Sequence, residues 1–223
     1  MISVRGTGWI TKTGYGCVRR GLRYQFEPGE GVHSLSKRGL FSHPFKNFGR
    51  LDNVSRMTVS AVALALQDAA IEYSPSEKQD IGIIATSDEG SLKSDVAYFR
   101  DFVENGRTLS RANLFIYTLP SSAPGEAAIH FGLTGPLMFM TGSDGTLAAY
   151  MDIAADMIAS GETECMLVGA IEQDEAIYLV MDREQKNCSL CSSAEVRTIV
   201  TSTQDIPEIL RQLSILKSRK GIA

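Results

Sequence analysis

Apolar runs alternate with polar turns and amphipathic stretches along most of this chain. Residues 81–86, 137–140 and 164–171 are short, continuous apolar runs, which are typical of strands covered on both faces. Residues 54–71 carry apolar side chains at helical spacing and predict a buried helix, capped by Asn53 or Ser55. Strands that alternate with helices predict a layered α/β domain with a mostly parallel mixed sheet.

Both ends of the chain add elements to this pattern. Residues 1–10 predict a first strand, whereas residues 18–48 show no sustained period and predict a long excursion that packs over the main sheet. Residues 176–181 predict a strand antiparallel or adjacent to the preceding one, and residues 196–201 suggest one more strand. Residues 206–217 predict an amphipathic closing helix.

Composition narrows the classes of protein that the chain can belong to. The 223 residues are 43% hydrophobic and 22% charged, which describes an ordinary globular protein. A net charge of -4 argues against nucleic acid as the main partner. No apolar run approaches the roughly 20 residues that span a bilayer, and residues 1–6 are typical of a strand and lack the long apolar core of a signal peptide. We therefore expect a cytoplasmic protein with no membrane span.

The four cysteines do not resemble a disulfide framework. Cys188 and Cys191 have the CxxC spacing of half a zinc site or a redox pair, but a four-ligand site needs two more ligands. The three histidines lie far upstream, and there is no second CxxC. Two unrelated thiols near a strand end are the preferred interpretation, so we expect no metal and no cofactor.

Candidate chemistry is concentrated where the strand at 137–140 runs into a polar turn and a helix over 145–159. Strand, turn and helix predict a nucleophile elbow, which lifts Asp144 to the helix N-terminus, where negative charge is favoured. Asp144 has three interpretations: a helix N-cap worth about 1 kcal/mol, a group that steers a partner's substrate or promotes decarboxylation, or a nucleophile. A carboxylate accepts acyl groups far less well than a thiolate, which disfavours the third.

Three sequence blocks then point to one family: residues 49–69, 119–136 and 137–172. With these blocks the chain resembles the N-terminal half of a β-ketoacyl-acyl carrier protein synthase, a condensing enzyme of the thiolase fold. The resemblance implies a thiolase-like α/β domain over residues 1–182, with residues 183–223 as a strand and helix extension that packs on the same domain.

The resemblance also implies that this chain has lost the condensation chemistry of the family. In that family a cysteine at the elbow takes an acyl chain from a carrier protein, and the resemblance puts Asp144 at this cysteine's position. Two histidines, or a histidine and an asparagine, assist decarboxylation from a C-terminal half that we expect this chain to lack. His33, His43 and His130 do not match those positions, and His130 is expected to pack or form a hydrogen bond in its helix.

The resemblance therefore implies a non-condensing, chain-length-factor-like subunit. It would act with a ketosynthase, or with a second copy of itself, and with an acyl carrier protein in fatty-acid or polyketide-type biosynthesis, including aryl polyene pathways. The family dimerises through the strand before the elbow, here Leu137, Met138, Phe139 and Met140. Ser143, Gly145 and Thr146 are candidate substrate-binding residues. The alternatives are an acyl-thioester decarboxylase or hydrolase with altered chemistry, and a homodimeric binding scaffold.

Without a second half, one side of the helix over 145–159 should be uncovered. Asp152 and Asp156, four residues apart, share a face that is consistent with water on that side. A partner chain could cover the remaining apolar surface. Residues 183–223 could instead fold back over it. Their covering stripe would be Ile206, Ile209, Leu210, Leu213 and Leu216.

Overall fold

The computed structural model describes residues 1–35, 37, 39–108, 111–141, 146–172, 174–183 and 189–221. These residues form one mixed sheet with helices on both faces, as the sequence predicts. The strands are β1 (Ile2–Thr11), β2 (Gly14–Cys17), β3 (Arg23–Gln25), β4 (Ile81–Ser87), β5 (Leu137–Thr141), β6 (Cys165–Glu172), β7 (Glu175–Arg183) and β8 (Cys191–Ser192). The helices are α1 (Asn53–Asp68), α2 (Leu92–Glu104), α3 (Ala112–Ile116), α4 (Ser122–Phe131), α5 (Leu147–Ser160), α6 (Ser193–Ser202) and α7 (Ile206–Lys220).

The strand order is β3-β2-β1-β7-β6-β4-β5, with β8 paired to β1. Only β4–β5 and β4–β6 are parallel pairs among the described strands, and the pairs that involve β1, β2 or β7 are antiparallel. The parallel part of the sheet is therefore smaller than the sequence suggests. It forms one end of the sheet, and β5 is the last strand at that end.

Helix α1 packs directly on the backbone of β1. Its N-cap is Asp52, whose carboxylate accepts the backbone N–H of Ser55 at 2.8 Å, so the cap precedes the predicted Asn53 or Ser55. A Cβ atom on Gly8 would collide with the carbonyl oxygen of Ala61 in α1. Glycine in β1 and alanine in α1 thus let the helix approach the strand closely.

The excursion over residues 18–48 covers this same face, as predicted. Val32, Leu35 and Leu40 are buried in the core that contains α1 and α4. Phe45 and Phe48 are also buried there and contact each other edge to face, with ring centroids 5.8 Å apart. The excursion is therefore part of the hydrophobic core.

The prediction of a strand over residues 196–201 is wrong, because these residues lie in α6. The helix begins with a capping box in which Ser192 accepts the backbone N–H of Glu195 and Glu195 accepts that of Ser192. Val196 and Val200 are four residues apart and both point into the core, which is helical spacing. The β-branched residues that suggested a strand are here one face of a helix.

Helices α5, α6 and α7 share the core on the other face of the sheet. Helix α6 contacts α5, and α7 contacts α6 and β7. Four residues of the predicted covering stripe are buried in this core, and Leu216 is partly buried against it. The side of α5 that was expected to be uncovered is therefore packed. Asp152 is exposed as expected, but it also forms a bidentate ion pair with Arg197 of α6 at 2.8–3.1 Å.

Within the described ranges, no helix has the length and apolar character needed to cross a bilayer.

Candidate functional site

The candidate site lies at the edge of the sheet where the parallel strands β4, β5 and β6 end. Ser87 of β4 is in register with Thr141 of β5, and Glu172 ends the neighbouring β6. This edge of a parallel sheet is where ligand sites usually occur in α/β folds. The predicted elbow is at the same edge, because β5 ends at Thr141 and α5 begins at Leu147. Ser143, Asp144 and Gly145 lie outside the described residues.

Thr146 occupies the N-cap position of α5. Its φ of -89° and ψ of 153° are those of extended backbone, and its hydroxyl oxygen accepts the backbone N–H of Ala149 at 3.3 Å. The prediction that Asp144 caps this helix is therefore wrong, since the helix starts two residues later than expected. Thr146 keeps its hydroxyl proton to donate, so its predicted contact with a substrate is still a chemical option.

The candidate site has an acidic environment that the sequence analysis did not single out. Burial raises the pKa of Glu172, and the negative charges of Asp88 and Glu89 raise it further. The backbone N–H of Asp88, which lies close to the Glu172 carboxylate, lowers this pKa in part. A carboxyl group whose pKa is raised in this way can take up and release a proton closer to neutral pH. The sequence signal was present: Glu172 follows the apolar run of β6 at the end of the third family block.

The described cysteines are poor nucleophiles. Cys17, Cys165 and Cys191 are buried free thiols, and burial is the main cause that raises the pKa of each to about 12. Cys188, the other half of the CxxC pair, lies outside the described residues. Within the part of the chain that the structure describes, no three His, Cys, Asp or Glu side chains form a metal-binding group.

His43 and His130 lie away from this edge in the fold. His130 is buried near the end of α4, which runs away from the carboxyl edge toward the start of β5. Its ring stacks on Phe45 with centroids 4.1 Å apart, and burial lowers its pKa to about 4. The predicted packing role of His130 is confirmed. His43 contacts Tyr73 on the same side of the molecule, and His33 is exposed.

Strand β5 is at the open edge of the sheet and carries apolar side chains. It pairs with β4 on one side only among the described strands, so its other side presents unpaired backbone N–H and C=O groups. Leu137 is 39% exposed, and Met138, Phe139 and Met140 are half-buried. A long apolar edge strand is a template for pairing with another chain unless something covers it.

A second apolar surface begins beside the end of β5. Gly90, just before α2, lies against Thr141, since a Cβ on Gly90 would be 3.2 Å from the Thr141 methyl carbon. Helix α2 then presents an exposed stripe at helical spacing. Its members are Leu92, Val96, Phe99 and Val103, which are 42–66% exposed. Contiguous apolar surface of this kind marks an interaction site.

Comparison with known proteins identifies the family of this architecture. Residues 33–189 match the family model "Beta-ketoacyl synthase, N-terminal domain". No curated protein matches the chain. Among solved structures, the chain is similar to the ishigamide ketosynthase/chain length factor, with a TM-score of 0.63 and 15% identity. That alignment covers 84% of this chain and 63% of the other.

Two further structures share the fold. A β-ketoacyl synthase from Burkholderia phymatum STM815 aligns with a TM-score of 0.59 and 17% identity, over 82% of this chain and 59% of that one. A ketosynthase in complex with its chain length factor from Xenorhabdus doucetiae aligns with a TM-score of 0.54 and 14% identity, over 83% of this chain and 80% of that one. The chain thus spans less than two thirds of the first two of these structures.

Proposed function

The chain belongs to the β-ketoacyl synthase family, and we propose that it is a non-condensing subunit that pairs with a ketosynthase in polyketide-type or fatty-acid biosynthesis. The open apolar edge of β5 is the observation that carries this proposal. The similar structures include a ketosynthase in complex with its chain length factor and a ketosynthase with its acyl-carrier protein, which supports these classes of partner. An aryl polyene product is one option within this proposal.

The interface that we propose pairs β5 with the matching strand of the ketosynthase. Leu137, Met138, Phe139 and Met140 supply the backbone pairing and an apolar contact, and the exposed stripe of α2 extends it beyond the strand. Exposed apolar side chains at the last strand of a sheet are costly in an isolated chain, which supports a partner at this position. A second copy of the chain would make a homodimer through the same edge.

The lack of condensing activity is supported by the thiol chemistry of the described residues. Condensation needs a reactive thiolate, and Cys17, Cys165 and Cys191 are buried, with raised pKa values. We propose that Asp144 stands at the position of the family cysteine and does not take an acyl group, and that Ser143, Gly145 and Thr146 border the acyl chain of the partner. Residues 1–182 would be the synthase-like domain and residues 183–223 its extension, in a cytoplasmic protein.

Co-purification with a ketosynthase from the same organism tests the proposal. We expect a complex of one copy of each chain, measured by size-exclusion chromatography with light scattering. Leu137→Glu should abolish it, because the new charge would be buried without a partner. Ile215→Glu is the matched control, since Ile215 in α7 is also 39% exposed but lies far from β5 in the sheet order. If the wild-type chains stay separate, or both variants bind equally, the proposal is wrong.

A second function, hydrolysis or decarboxylation of acyl thioesters, is favoured by Glu172. A general base is required, and the raised pKa of this carboxyl at the carboxyl edge suits that role. Release of free thiol from acyl-coenzyme A (hydrolysis), or of CO2 from malonyl-coenzyme A (decarboxylation), by the purified chain would support it, provided that Glu172→Gln removes the activity and Glu89→Gln keeps it. Release that persists in Glu172→Gln would contradict this assignment.

A further inference from the structure

A groove runs between α7 and the β1–β2 hairpin, on the face of the sheet opposite α1. Its volume is about 950 Å³, within the range of small-molecule sites. Apart from Glu175, every residue that lines it lies outside residues 33–189, the stretch that matches the synthase family. The groove is also at the end of the sheet away from β5. It is therefore separate from the candidate site and from the proposed interface.

The lining of the groove is mostly apolar and elongated. Trp9 and Leu210 form part of its floor and are 7% and 6% exposed. Helix α7 lines it from Pro207 to Arg219 with one helical face, which corresponds to a length of about 18 Å at 1.5 Å per residue. A long apolar trough of this shape suits an extended hydrocarbon chain better than a compact polar ligand.

The charges around the groove favour an anion. The Arg23 guanidinium lies 6.0 Å from the centre of the Trp9 ring and donates to the Ser214 hydroxyl at 3.0 Å. Arg219 lies five residues after Ser214 in α7. Over the described ranges, neither Arg23 nor Arg219 forms an ion pair with a carboxylate. Their charges are thus available to a ligand.

The other charged residues of the groove each lie close to a group of opposite charge. Arg211 forms a bidentate ion pair with Glu208 at 2.6 Å, one turn earlier in α7. Burial raises the pKa of Glu175, and the backbone N–H and the positive charge of Lys12, which lie close to its carboxylate, lower this pKa in part. Glu175 and Lys12 lie at the end of the groove near Pro207, since Asp205 at the start of α7 also interacts with Glu175. Among the described residues of the groove, the arginines without an ion pair therefore lie from the middle of α7, where Arg23 contacts Ser214, to Arg219 near its end.

We propose that this groove binds a medium-chain amphipathic anion, of which a fatty-acid carboxylate is the simplest form. Arg23 and Arg219 hold the carboxylate head group, because guanidinium groups bind carboxylates with paired hydrogen bonds. The hydrocarbon chain lies over Trp9 and Leu210 and points toward Pro207. The ligand chemistry is common to a free fatty acid and to an acyl chain whose polar end carries a phosphate. The proposal does not depend on the proposed function, because the groove and β5 are at opposite ends of the sheet.

Fluorescence of Trp9, the single tryptophan of the chain, reports directly on this groove. We expect sodium decanoate, titrated below its critical micelle concentration, to change the emission saturably, with the same affinity by calorimetry. Butyrate should bind more weakly because its chain is short, and decanol because it lacks the charge. A parallel titration with decanoyl-phosphopantetheine gives its affinity relative to that of decanoate. The tighter ligand shows whether the groove prefers a free fatty acid or an acyl chain whose polar end carries a phosphate.

Charge-removing variants then test the head-group assignment. The double variant Arg23→Gln/Arg219→Gln should weaken decanoate binding about tenfold or more, since two charge-assisted contacts are lost. Arg100→Gln, an exposed arginine in α2, is the matched control and should bind as the wild type does. Circular dichroism checks that each variant is folded. Emission that does not saturate, decanol binding equal to decanoate binding, or unchanged affinity in the double variant would overturn the proposal.

Discussion

Truncation of Leu213 to alanine tests whether α7 is an integral part of the core. Leu213 is fully buried on the face of the sheet that also holds Val200 of α6 and Met151 of α5. Replacement of a buried leucine by alanine removes its transfer free energy and leaves a cavity, which together cost about 2–5 kcal/mol. We expect the free energy of unfolding to fall by about 3 kcal/mol in Leu213→Ala.

Ile215, two residues later on the same helix, provides the comparison. It is 39% exposed, so Ile215→Ala removes less buried surface and leaves no closed cavity. We expect Ile215→Ala to lower the free energy of unfolding by about 1 kcal/mol. This value is the transfer free energy of a buried aliphatic side chain multiplied by the buried fraction of Ile215. With a slope of about 2 kcal/mol per molar urea, the two midpoints should differ by about 1 M.

Urea unfolding followed by circular dichroism measures both variants. A single transition that shifts as described means that α7 unfolds with the rest of the domain. Equal, small losses in the two variants would refute the packing, because Leu213 would then be no more buried than Ile215. A separate transition at lower urea concentration that alone shifts in Leu213→Ala would also refute the packing, because α7 would then unfold independently of the rest of the domain.

Two further predictions concern the other face of the sheet. Because burial lowers the pKa of His130 to about 4, the folded protein binds its proton less readily than the unfolded chain. The contribution of neutral His130 to the free energy of unfolding is therefore complete above about pH 6.5 and is lost as the pH falls toward 4. Between pH 7.5 and pH 4.5, the free energy of unfolding should fall by about 2–3 kcal/mol more in the wild type than in His130→Phe. Urea unfolding at the two pH values measures this difference. Equal pH slopes would contradict this. Gly8→Ala should destabilise the domain by more than about 2 kcal/mol, because the new methyl group would collide with the Ala61 carbonyl in α1. Gly49→Ala is the control and should change stability by less than about 1 kcal/mol, because a methyl group there contacts no other atom. Thermal unfolding measures both variants. A Gly8→Ala protein as stable as Gly49→Ala would show that α1 and β1 are not in contact.

The sequence predicts the strongly periodic elements well, because local patterns determine them. The apolar runs of β4 and β6 and the helical stripes of α1 and α7 are each where the pattern indicates. Helix α6 was missed because consecutive β-branched residues resemble a strand, although the Ser192–Glu195 capping box was readable in the sequence.

The position of each strand in the sheet could not be derived in the same way. The apolar run of β5 looks like that of β4, yet β4 is buried along its whole length and β5 is partly exposed. The difference comes from the strand order, which depends on contacts between distant parts of the chain. For the same reason the approach of Glu172 to Asp88 was not predicted, since it requires β4 and β6 to be neighbours.

Hydrogen–deuterium exchange of β5 is the most direct measurement of the proposed pairing. Backbone amides of residues 137–141 that face away from β4 should exchange quickly in the isolated chain and at least about tenfold more slowly with a ketosynthase, because strand pairing protects them. The amides of α7 should exchange at the same rate in both samples. Slower exchange at β5 with unchanged exchange at α7 is the result that we expect. A stable complex in which residues 137–141 exchange as fast as before would contradict the pairing.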